Sequence, residues 1–397
     1  MPVITQIDDF KPVAKRKIPR MFYDLVDAGS YTETTYRANE ADLATIRLKP
    51  RVCVNVADRS LATTMAGQPV SLPVALAPVG SAGTIHADGE ILAARAAEAA
   101  GVPFTLSTMS ICSIEDVAAA VKKPFWFQLY MMKDRDFVEK LIARARAANC
   151  SALVMTVDLP TIGQRHKDYK NGMVGQVGPL KKIANLLNYA SKPGWCLDMA
   201  RTPRRHFGNV MGHVAGIDTL DDFKIWSAAN FDPSITWKDV EWVRSLWDGP
   251  LILKGIMTGE DAEMAASCGT DAIVVSNHGG RQLDGAPSSI SALPRIADAV
   301  GDRLELWMDG GVRRGQDILK ARALGARGVF IGRAFLYGLA AAGQAGVARS
   351  LDILRGELDV SLALCGYTDI NQVTTDCLAD WREQHRPEYC TGQLLDR

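Results

Sequence analysis

The chain repeats a short apolar run, with little polar alternation, between stretches of helical periodicity that are often rich in alanine. Runs of this kind predict strands buried on both faces, and the amphipathic stretches predict helices packed against them. The runs occupy residues 74–79, 104–108, 125–130, 152–158, 251–256, 272–278, 304–310 and 328–333. Eight strand–helix units predict an α/β fold, a (β/α)8 TIM barrel. A doubly wound open sheet is the alternative, although it would not favour eight units.

One connection is much longer than the others. Neighbouring strands are separated by roughly 20 to 30 residues, but about 90 residues separate the fourth from the fifth. We therefore expect an insertion at about 159–240, after the fourth strand, within a single domain that spans 1–397. The barrel itself is expected over about 70–375. Long loops at the carboxyl end of a barrel lie over the active site.

Chemically distinctive residues stand at the carboxyl ends of the predicted strands, where barrel enzymes carry out catalysis. In chain order they are Ala77, Pro78 and Val79, then Ser107, Gln128, Tyr130, Thr156, Asp158, Lys254, Ser276, His278, Asp309, Gly310, Gly311, Arg313, Gly332 and Arg333. A single polar residue at a strand end is more often a turn former. A barrel core alone would not require such residues at every strand end.

The last two strand ends favour a phosphate site. The sequences "DGGVRRG" at 309–315 and "IGR" at 331–333 combine glycine with arginine. Glycine lets backbone N–H groups approach an anion closely, and helix N-termini favour negative charge. Phosphate sites in these barrels often form after strands seven and eight. Two glycine turns with surface arginines are the alternative. The chain has no GxxxxGK[ST], so a P-loop is excluded.

The stretch "SNHGGRQLDG", 276–285, suggests proton transfer beside a carboxylate site. His278 could act as general base, and Asp158 could hold its imidazole in one tautomer. Arg281 could bind a substrate carboxylate in bidentate fashion, with glycines 279 and 280 bending the loop. Lys254 could stabilise the negative charge of a reduced flavin. A structural histidine and a salt-bridged lysine are the alternatives.

Composition adds constraints on the class of protein. The 397 residues carry zero net charge and are 47% hydrophobic, which is typical of a globular protein and argues against nucleic-acid binding. Eight scattered cysteines, Cys390 among them, form no C-x-x-C pair, so we expect reduced thiols and no metal site. The N-terminus lacks the apolar region of a signal peptide, and no apolar run is long enough to span a bilayer.

These motifs together resemble the FMN-dependent 2-hydroxy acid dehydrogenases and oxidases. The match runs from about residue 10 to about 375 and includes "LSTMSICSIE", "WFQLY", "TVD", "KGI", "SNHGGRQLDG", "DGGVRRG" and "IGRAFLYGLA". It is nearest to the bacterial membrane-associated L-lactate dehydrogenases. The resemblance implies FMN-dependent oxidation of an L-2-hydroxy acid, foremost L-lactate to pyruvate. About 70 residues precede the first strand, too few for a haem domain, so electrons are expected to leave to quinone, another carrier or oxygen.

The resemblance also implies a role for each matching residue. The isoalloxazine and ribityl groups would be held by Ala77, Pro78, Val79, Ser107, Gln128, Thr156, Lys254 and Ser276. The ribityl chain and phosphate would be held by Asp309, Gly310, Gly311, Arg313, Gly332 and Arg333. His278 would take a proton from the substrate with support from Asp158. Arg281 and Arg165 would bind the carboxylate, and Tyr130 the hydroxyl.

Alternatives to this activity remain open at this point. Within the class, the chain could be an oxidase that uses O2, or a dehydrogenase for mandelate or another larger 2-hydroxy acid. Outside it, the alternatives are a flavin-free barrel enzyme for a phosphate ligand, such as an isomerase, and a non-catalytic flavin-binding barrel.

The sequence departs from the family at the substrate carboxylate. Members usually carry a tyrosine four residues before a glycine near the N-terminus, but Leu25 stands four residues before Gly29. Tyr23 is two positions off, on a different face of a helix. We expect the loss of one hydrogen bond to weaken substrate binding by roughly 1–2 kcal/mol, or to shift the substrate preference. Met109 and Ile162 are expected to line the side-chain pocket.

Part of the insertion predicts membrane contact. Residues 178–213 contain six Lys or Arg and one acidic residue, and they interleave these with apolar and aromatic side chains. This combination suits a membrane surface that carries anionic lipid. We expect peripheral attachment at the cytoplasmic side of the inner membrane, or a cytoplasmic protein if the segment is only an active-site lid. The resemblance further implies a homotetramer.

Overall fold

Eight parallel strands form the centre of the molecule in a computed structural model, which describes residues 2–175, 177–214, 216–217 and 219–379. The strands are β1 Val74–Leu76, β2 Thr105–Ser107, β3 Trp126–Tyr130, β4 Ala152–Thr156, β5 Leu251–Ile256, β6 Ala272–Val275, β7 Glu305–Met308 and β8 Gly328–Ile331. Each lies within one predicted run, and nearly all of their side chains are buried because helices cover the outer face.

The strands close into a barrel. Each strand from β2 to β8 pairs in parallel with the next, and β8 returns to β1 through Ile331 and Leu76. A parallel bridge between Leu76 and Phe104, just before β2, closes the remaining gap. The predicted (β/α)8 TIM barrel is confirmed, and the open-sheet alternative is wrong.

Helices surround the barrel and extend its carboxyl end. In chain order they are α1 Phe10–Lys17, α2 Arg20–Asp27, α3 Thr34–Thr45, α4 Ala82–Ile85, α5 Gly89–Ala100, α6 Ile114–Ala120, α7 Arg135–Ala147, α8 His166–Asn171, α9 Pro179–Ala190, α10 Pro193–Arg201, α11 Leu220–Asn230, α12 Trp237–Leu246, α13 Gly259–Ser267, α14 Ser289–Val300, α15 Gly315–Ala323 and α16 Arg333–Leu364. Short 3-10 helices lie at Ile7–Asp9, Gly301–Arg303, Ile370–Gln372 and Thr375–Cys377.

The amino end of the barrel is filled by side chains. Trp126 and Trp307 stack with ring centroids 5.3 Å apart, and Phe330 packs against both. Met65 reaches this cluster from a hairpin of Thr63–Met65 and Gln68–Val70. A packed interior is normal for this fold, and ligands of such barrels bind at the carboxyl end.

The predicted insertion is present between β4 and β5, and its residues 159–240 contain α8 to α11 and the first turn of α12. It packs on the N-terminal helices: Phe22 of α2 contacts the rings of Tyr189 and Trp195, at centroid distances of 6.1 and 5.3 Å. The Trp195 indole also donates to the carbonyl of Thr84 on α4, at 3.0 Å. These contacts fix the insertion beside the carboxyl end of the barrel.

Two properties bear on location and redox chemistry. Across the described ranges, no helix combines the length and apolar character needed to cross a bilayer. The seven cysteines of the described part are free thiols, and Cys390 lies outside that part.

Candidate active site

The strand ends and the loops that follow them line one cleft at the carboxyl end of the barrel. Its walls include these residues from the sequence prediction: Ala77, Pro78, Val79, Met109, Tyr130, Ile162, Arg165, Lys254, His278, Arg281, Asp309, Gly310, Gly311, Arg313, Gly332 and Arg333. The barrel is the reason for this convergence, because the carboxyl ends of all its strands point to the same side.

The remaining predicted residues lie directly behind the cleft wall. Ser107, Gln128, Thr156 and Ser276 are almost completely buried. The Ser107 hydroxyl donates to the Gln128 side-chain oxygen at 3.0 Å, and the Ser276 hydroxyl accepts from Lys254 at 2.7 Å. Ser276 thus supports Lys254 in the wall, whereas Gln128 Nε2 and Thr156 Oγ1 have no hydrogen-bond partner.

His278 and Asp158 form a hydrogen-bonded pair. The Nδ1 atom of His278 lies 2.9 Å from Oδ1 of Asp158. Burial opposes ionisation of Asp158, but the facing His278 and Lys254 outweigh it, so the pKa of this carboxyl lies below its ordinary value. An ionised Asp158 accepts a hydrogen bond from the Nδ1–H of His278, and this leaves Nε2 of the imidazole as the nitrogen that can accept a proton.

The turn after His278 brings histidine and arginine to the same cleft. His278, Gly279 and Gly280 have successive φ values of 59°, 63° and 71°. A Cβ on Gly280 would lie 2.4 Å from the backbone nitrogen of Tyr36, and one on Gly279 would lie 2.7 Å from Arg333. Only glycine tolerates both the left-handed backbone and this close packing, and Arg281 then enters the cleft.

Lys254 is a buried cation on β5 that faces the cleft. Its Nζ lies 2.9 Å from Oδ2 of Asp309 and donates to Ser276. Burial lowers the pKa of Lys254, but the charges of Asp309 and Asp158 outweigh it, so the pKa lies above the ordinary value. Lys254 therefore forms the salt bridge that was the alternative to a role beside a flavin. It also presents a full positive charge to any group bound in the cleft, so the two roles are compatible.

Two guanidinium groups make this part of the cleft an anion site. Burial, followed by the charges of Arg165 and Arg333, lowers the pKa of Arg281 well below its ordinary value. Arg281 donates to the carbonyls of Leu25 and Ala28, at 2.7 and 2.9 Å, so its position is fixed. Clustered positive charge of this kind is relieved by a bound anion such as a carboxylate.

Arg165 and Tyr130 complete this wall. Arg165 donates through Nε to the buried carboxylate of Asp168 at 2.6 Å, which orients the rest of its guanidinium. Burial and the charge of Asp158 raise the pKa of Tyr130, so its hydroxyl stays protonated at neutral pH and can donate. The Tyr130 ring packs edge-on against Phe231, with centroids 5.4 Å apart.

The backbone after β7 is shaped for close approach of another chain segment. Gly310 and Gly311 have φ values of 92° and 79°, and a Cβ on Gly311 would lie 2.1 Å from the carbonyl oxygen of Asn39. The Asn39 amide also pairs reciprocally with Asn277, with both N–O distances 2.9 Å. Helix α3 thus joins the His278 loop to the Gly311 loop, a link that no sequence motif revealed.

Arg333 was predicted at the end of a strand run, but it begins α16 instead, and its side chain is already engaged. Three of its N–H groups donate to the carbonyls of Val26, Ala28 and Gly279, at 2.8–2.9 Å. Its guanidinium also stacks over the ring of Tyr36, 4.4 Å from the centroid. The backbone N–H at the start of α16 is therefore more available to an anion than this side chain.

The sequence prediction did not include several residues that line the cleft. Leu159 and Phe231 line the cleft from the ends of the insertion, and Gln282 lines it from the loop after Arg281. Gln282 stood within "SNHGGRQLDG", so that motif could have indicated it. The two apolar residues could not be found from sequence, because their approach depends on how the insertion folds back.

Buried polar atoms without partners test whether this cleft fits a flavin mononucleotide. Gln128 Nε2, Thr156 Oγ1, Asp309 Oδ1 and Arg313 Nε are buried and make no hydrogen bond. A buried unsatisfied group costs about 1–3 kcal/mol, so four in one region point to a missing polar ligand. An amide, a hydroxyl, a carboxylate and a guanidinium match the polar ring edge, ribityl hydroxyls and phosphate of FMN. The residues present therefore fit this cofactor.

The fold and the site together define a flavin-dependent barrel enzyme that acts on a small anionic substrate. Comparison with known proteins agrees: the FMN-dependent dehydrogenase family matches residues 14–380. The chain belongs to this family, is an oxidoreductase and uses FMN as its cofactor. The resemblance is confirmed, and the flavin-free and non-catalytic alternatives are set aside.

Relatives and solved structures cover nearly the whole chain. An L-lactate dehydrogenase of Ectopseudomonas mendocina (strain ymp) is 46% identical over 96% of this chain and 100% of its own length. One of Caulobacter sp. (strain K31) is 49% identical over 95% of this chain and 99% of its own. The crystal structure of the monotopic membrane protein (S)-mandelate dehydrogenase superposes with a TM-score of 0.89 at 34% identity, over 95% and 99% of the two chains. A mandelate oxidase superposes with a TM-score of 0.79 at 35% identity, over 95% and 98%.

Proposed function

We propose that the chain oxidises an L-2-hydroxy acid, foremost L-lactate to pyruvate, and passes the electrons to quinone or another carrier. The observation that carries this proposal is the His278–Asp158 pair, which shares one cleft with Arg281 and Arg165. A base beside two guanidinium groups suits a substrate that has an acidic hydrogen next to a carboxylate. The L-lactate dehydrogenases that match 95–96% of the chain support the choice of lactate.

The residues of the cleft have different roles in the proposed reaction. Arg281 and Arg165 bind the substrate carboxylate, and the Tyr130 hydroxyl hydrogen-bonds the substrate oxygen. His278 accepts the substrate proton at Nε2, and Asp158 stabilises the imidazolium that forms. FMN, when bound, supplies the acceptor for the two electrons. The barrel and its insertion act as one domain, because the insertion provides Arg165 and the barrel provides His278.

The cofactor-binding role of each residue is also part of the proposal. The ring and ribityl chain are held by Ala77, Pro78, Val79, Ser107, Gln128, Thr156, Lys254 and Ser276. The ribityl chain and phosphate are held by Asp309, Gly310, Gly311, Arg313, Gly332 and Arg333. The positive charge of Lys254 would favour electron uptake by the bound cofactor and raise its reduction potential.

One spectrum tests the reaction. The purified protein should be yellow, and its flavin absorbance should bleach anaerobically when L-lactate is added. A colourless protein, or a flavin that L-lactate does not reduce, would overturn the proposal. Reoxidation by a soluble quinone much faster than by oxygen is expected of a dehydrogenase, and the reverse order would identify an oxidase.

(S)-Mandelate is the second candidate substrate. The mandelate enzymes among the solved structures support it. Comparison of the anaerobic bleaching rates with L-lactate and (S)-mandelate decides between the two substrates.

The exposed face of α9 supports the proposal of peripheral membrane contact. Leu180, Ile183, Leu186 and Leu187 are 56–84% exposed, and the basic Lys182 lies among them. No residue of α9 or α10 lines the cleft, which does not favour the lid alternative. The monotopic (S)-mandelate dehydrogenase is a structural relative with this property. We place the contact on the cytoplasmic face of the inner membrane, where anionic lipid attracts basic residues.

The proposed assembly is a homotetramer. Light scattering coupled to size-exclusion chromatography tests it: a mass of four chains supports the assembly, and a monomer or dimer mass contradicts it.

A further inference from the structure

An acidic side chain lies next to the corner of the cleft where the proposed cofactor phosphate binds, on the far side of Arg313. Glu40 of α3 places Oε1 2.9 Å from Nη2 of Arg313. A second cavity begins here, lined by Asp8, Tyr36 and Glu40 among others, and it shares Gly311 and Arg313 with the cleft. Glu40 therefore faces the same guanidinium that the phosphate of FMN would approach from the other side.

The contact between Glu40 and Arg313 is an ion pair without a hydrogen bond. Although the two atoms are close, Nη2 and Nε of Arg313 are buried and lack a hydrogen-bond partner. The N–H directions therefore do not meet the carboxylate oxygen, whereas Nη1 donates to the carbonyl of Val312 at 2.9 Å. Buried N–H groups in this state favour a further acceptor, and Glu40 supplies only its charge.

That charge has a clear effect on the ionisation of Arg313. Burial disfavours the positive charge of Arg313, and Glu40 is the first carboxylate that offsets it, so the pKa of the guanidinium lies above its ordinary value. Glu40 thus stabilises a buried cation before any ligand enters. Once a phosphate binds, two anions share one guanidinium and repel each other.

We propose that Glu40 competes with the phosphate of FMN for the charge of Arg313 and thereby weakens cofactor binding in this chain. The inference rests on the proposed position of the phosphate at Gly311 and Arg313. The Glu40 side chain is 35% exposed, so solvent screens part of the repulsion but does not remove it. The opposite role, in which Glu40 positions Arg313 for the phosphate, would make the same residue strengthen FMN binding.

Riboflavin separates these roles because it is FMN without the phosphate. The bound flavin is removed from the full-length protein, and dissociation constants for FMN and riboflavin are measured by flavin fluorescence. The ratio of the riboflavin constant to the FMN constant isolates the contribution of the phosphate. In Glu40→Gln, and likewise in Glu40→Ala, we expect this ratio to rise roughly five- to tenfold.

Asp8→Asn is the matched control. Asp8 lines the same cavity, but its carboxylate pairs with Lys11 at 2.8 Å. Removal of this exposed charge should change the ratio less than about twofold. An unchanged or smaller ratio in both Glu40 variants would overturn the proposal.

The proposed function fails in a different way. If the unaltered chain bound neither flavin, the cofactor site itself would be wrong. If it bound FMN no better than riboflavin, the phosphate would lie elsewhere, and the role of Glu40 would fall with it. Preferential binding of FMN with no response to either Glu40 substitution overturns only the role of Glu40.

Discussion

His278 and Asp158 lie 120 positions apart in the chain, yet Nδ1 of the histidine is 2.9 Å from the carboxylate. The distance is short because β4 and β6 both flank β5, so their carboxyl ends meet at one side of the barrel. The loss of this carboxylate should impair catalysis more than folding. In Asp158→Asn we expect the rate of anaerobic flavin reduction to fall by about 10²–10⁴-fold. Stopped-flow absorbance measures this rate, and an unchanged flavin spectrum shows that the cofactor site is intact. A fall of less than threefold would contradict the role of Asp158.

Lys254→Met should destabilise the fold and lower the flavin reduction potential. In the unaltered chain the Asp309 carboxylate lies 2.9 Å from Nζ of Lys254. The variant removes this partner and leaves the carboxylate as an unpaired buried charge. A loss of about 3–5 kcal/mol in the free energy of unfolding is expected. A redox titration against dyes of known potential measures the second effect, since the cation no longer stabilises the reduced ring. Lys254→Arg keeps the charge and should retain most of the potential.

The raised pKa of Lys254 determines how the loss of stability in Lys254→Met depends on pH. Because the pKa of Lys254 is raised in the folded state, its stabilising contribution is complete below the ordinary value of 10.5. The contribution is lost only as the pH rises through the higher folded-state pKa. The difference in unfolding free energy between Lys254→Met and the unaltered chain should stay constant from about pH 7 to 9. A difference that disappears within this range would contradict the assignment.

Leu25→Tyr should strengthen substrate binding. Leu25 lines the cleft, and its carbonyl accepts a hydrogen bond from Arg281. A tyrosine side chain at position 25 would therefore leave the backbone next to the proposed carboxylate site. One added hydrogen bond to a charged group should lower KM for L-lactate about five- to twentyfold. Tyr23→Phe is the control, because Tyr23 packs towards Tyr337 and does not line the cleft. Steady-state kinetics with a dye acceptor measures KM in both variants. An unchanged KM in Leu25→Tyr would contradict the view that Leu25 costs the chain one hydrogen bond to the substrate carboxylate.

Gly311→Ala should abolish flavin binding. Its Cβ would lie 2.1 Å from the Asn39 carbonyl, and the φ of 79° is itself strained for alanine. The loop and α3 must separate, which opens the phosphate corner. Gly356→Ala is the matched control, because Gly356 lies on α16 away from the cleft and an added Cβ there meets no atom within 4 Å. The flavin-to-protein absorbance ratio after purification should be near zero in the first variant and almost unchanged in the second. Full flavin content in Gly311→Ala would refute the steric argument.

Substitution of the exposed face of α9 should release the protein from membranes. Leu186 and Leu187 are 68% and 65% exposed, so a double change to serine removes apolar surface without opening the core. We expect the affinity for phosphatidylglycerol vesicles, measured by co-sedimentation, to fall by more than about tenfold, since each leucine contributes about 1.5–3 kcal/mol when fully buried. Leu283→Ser, at an exposed position outside the insertion, should not alter sedimentation. If the unaltered protein stays in the supernatant with these vesicles, membrane contact is wrong.

The sequence by itself determined the barrel and much of its reactive end. Eight apolar runs without alternation specify strands buried on both faces, and this pattern is local, so it can be read along the chain. The same holds for "SNHGGRQLDG", whose glycines indicate a sharp turn between His278 and Arg281. The pairing of His278 with Asp158 followed from the order of the strands, because parallel closure brings their carboxyl ends together.

Only the tertiary structure decided what α2, α3 and the insertion contribute. Asn39, Glu40 and Tyr36 reach the loops after β6 and β7 from a helix more than 200 positions away, and nothing in their local sequence encodes that contact. Tertiary packing also engaged the Arg333 side chain with three carbonyls and left the leucines of α9 exposed. Periodicity records whether a residue is buried, but the partner it meets depends on how distant segments pack.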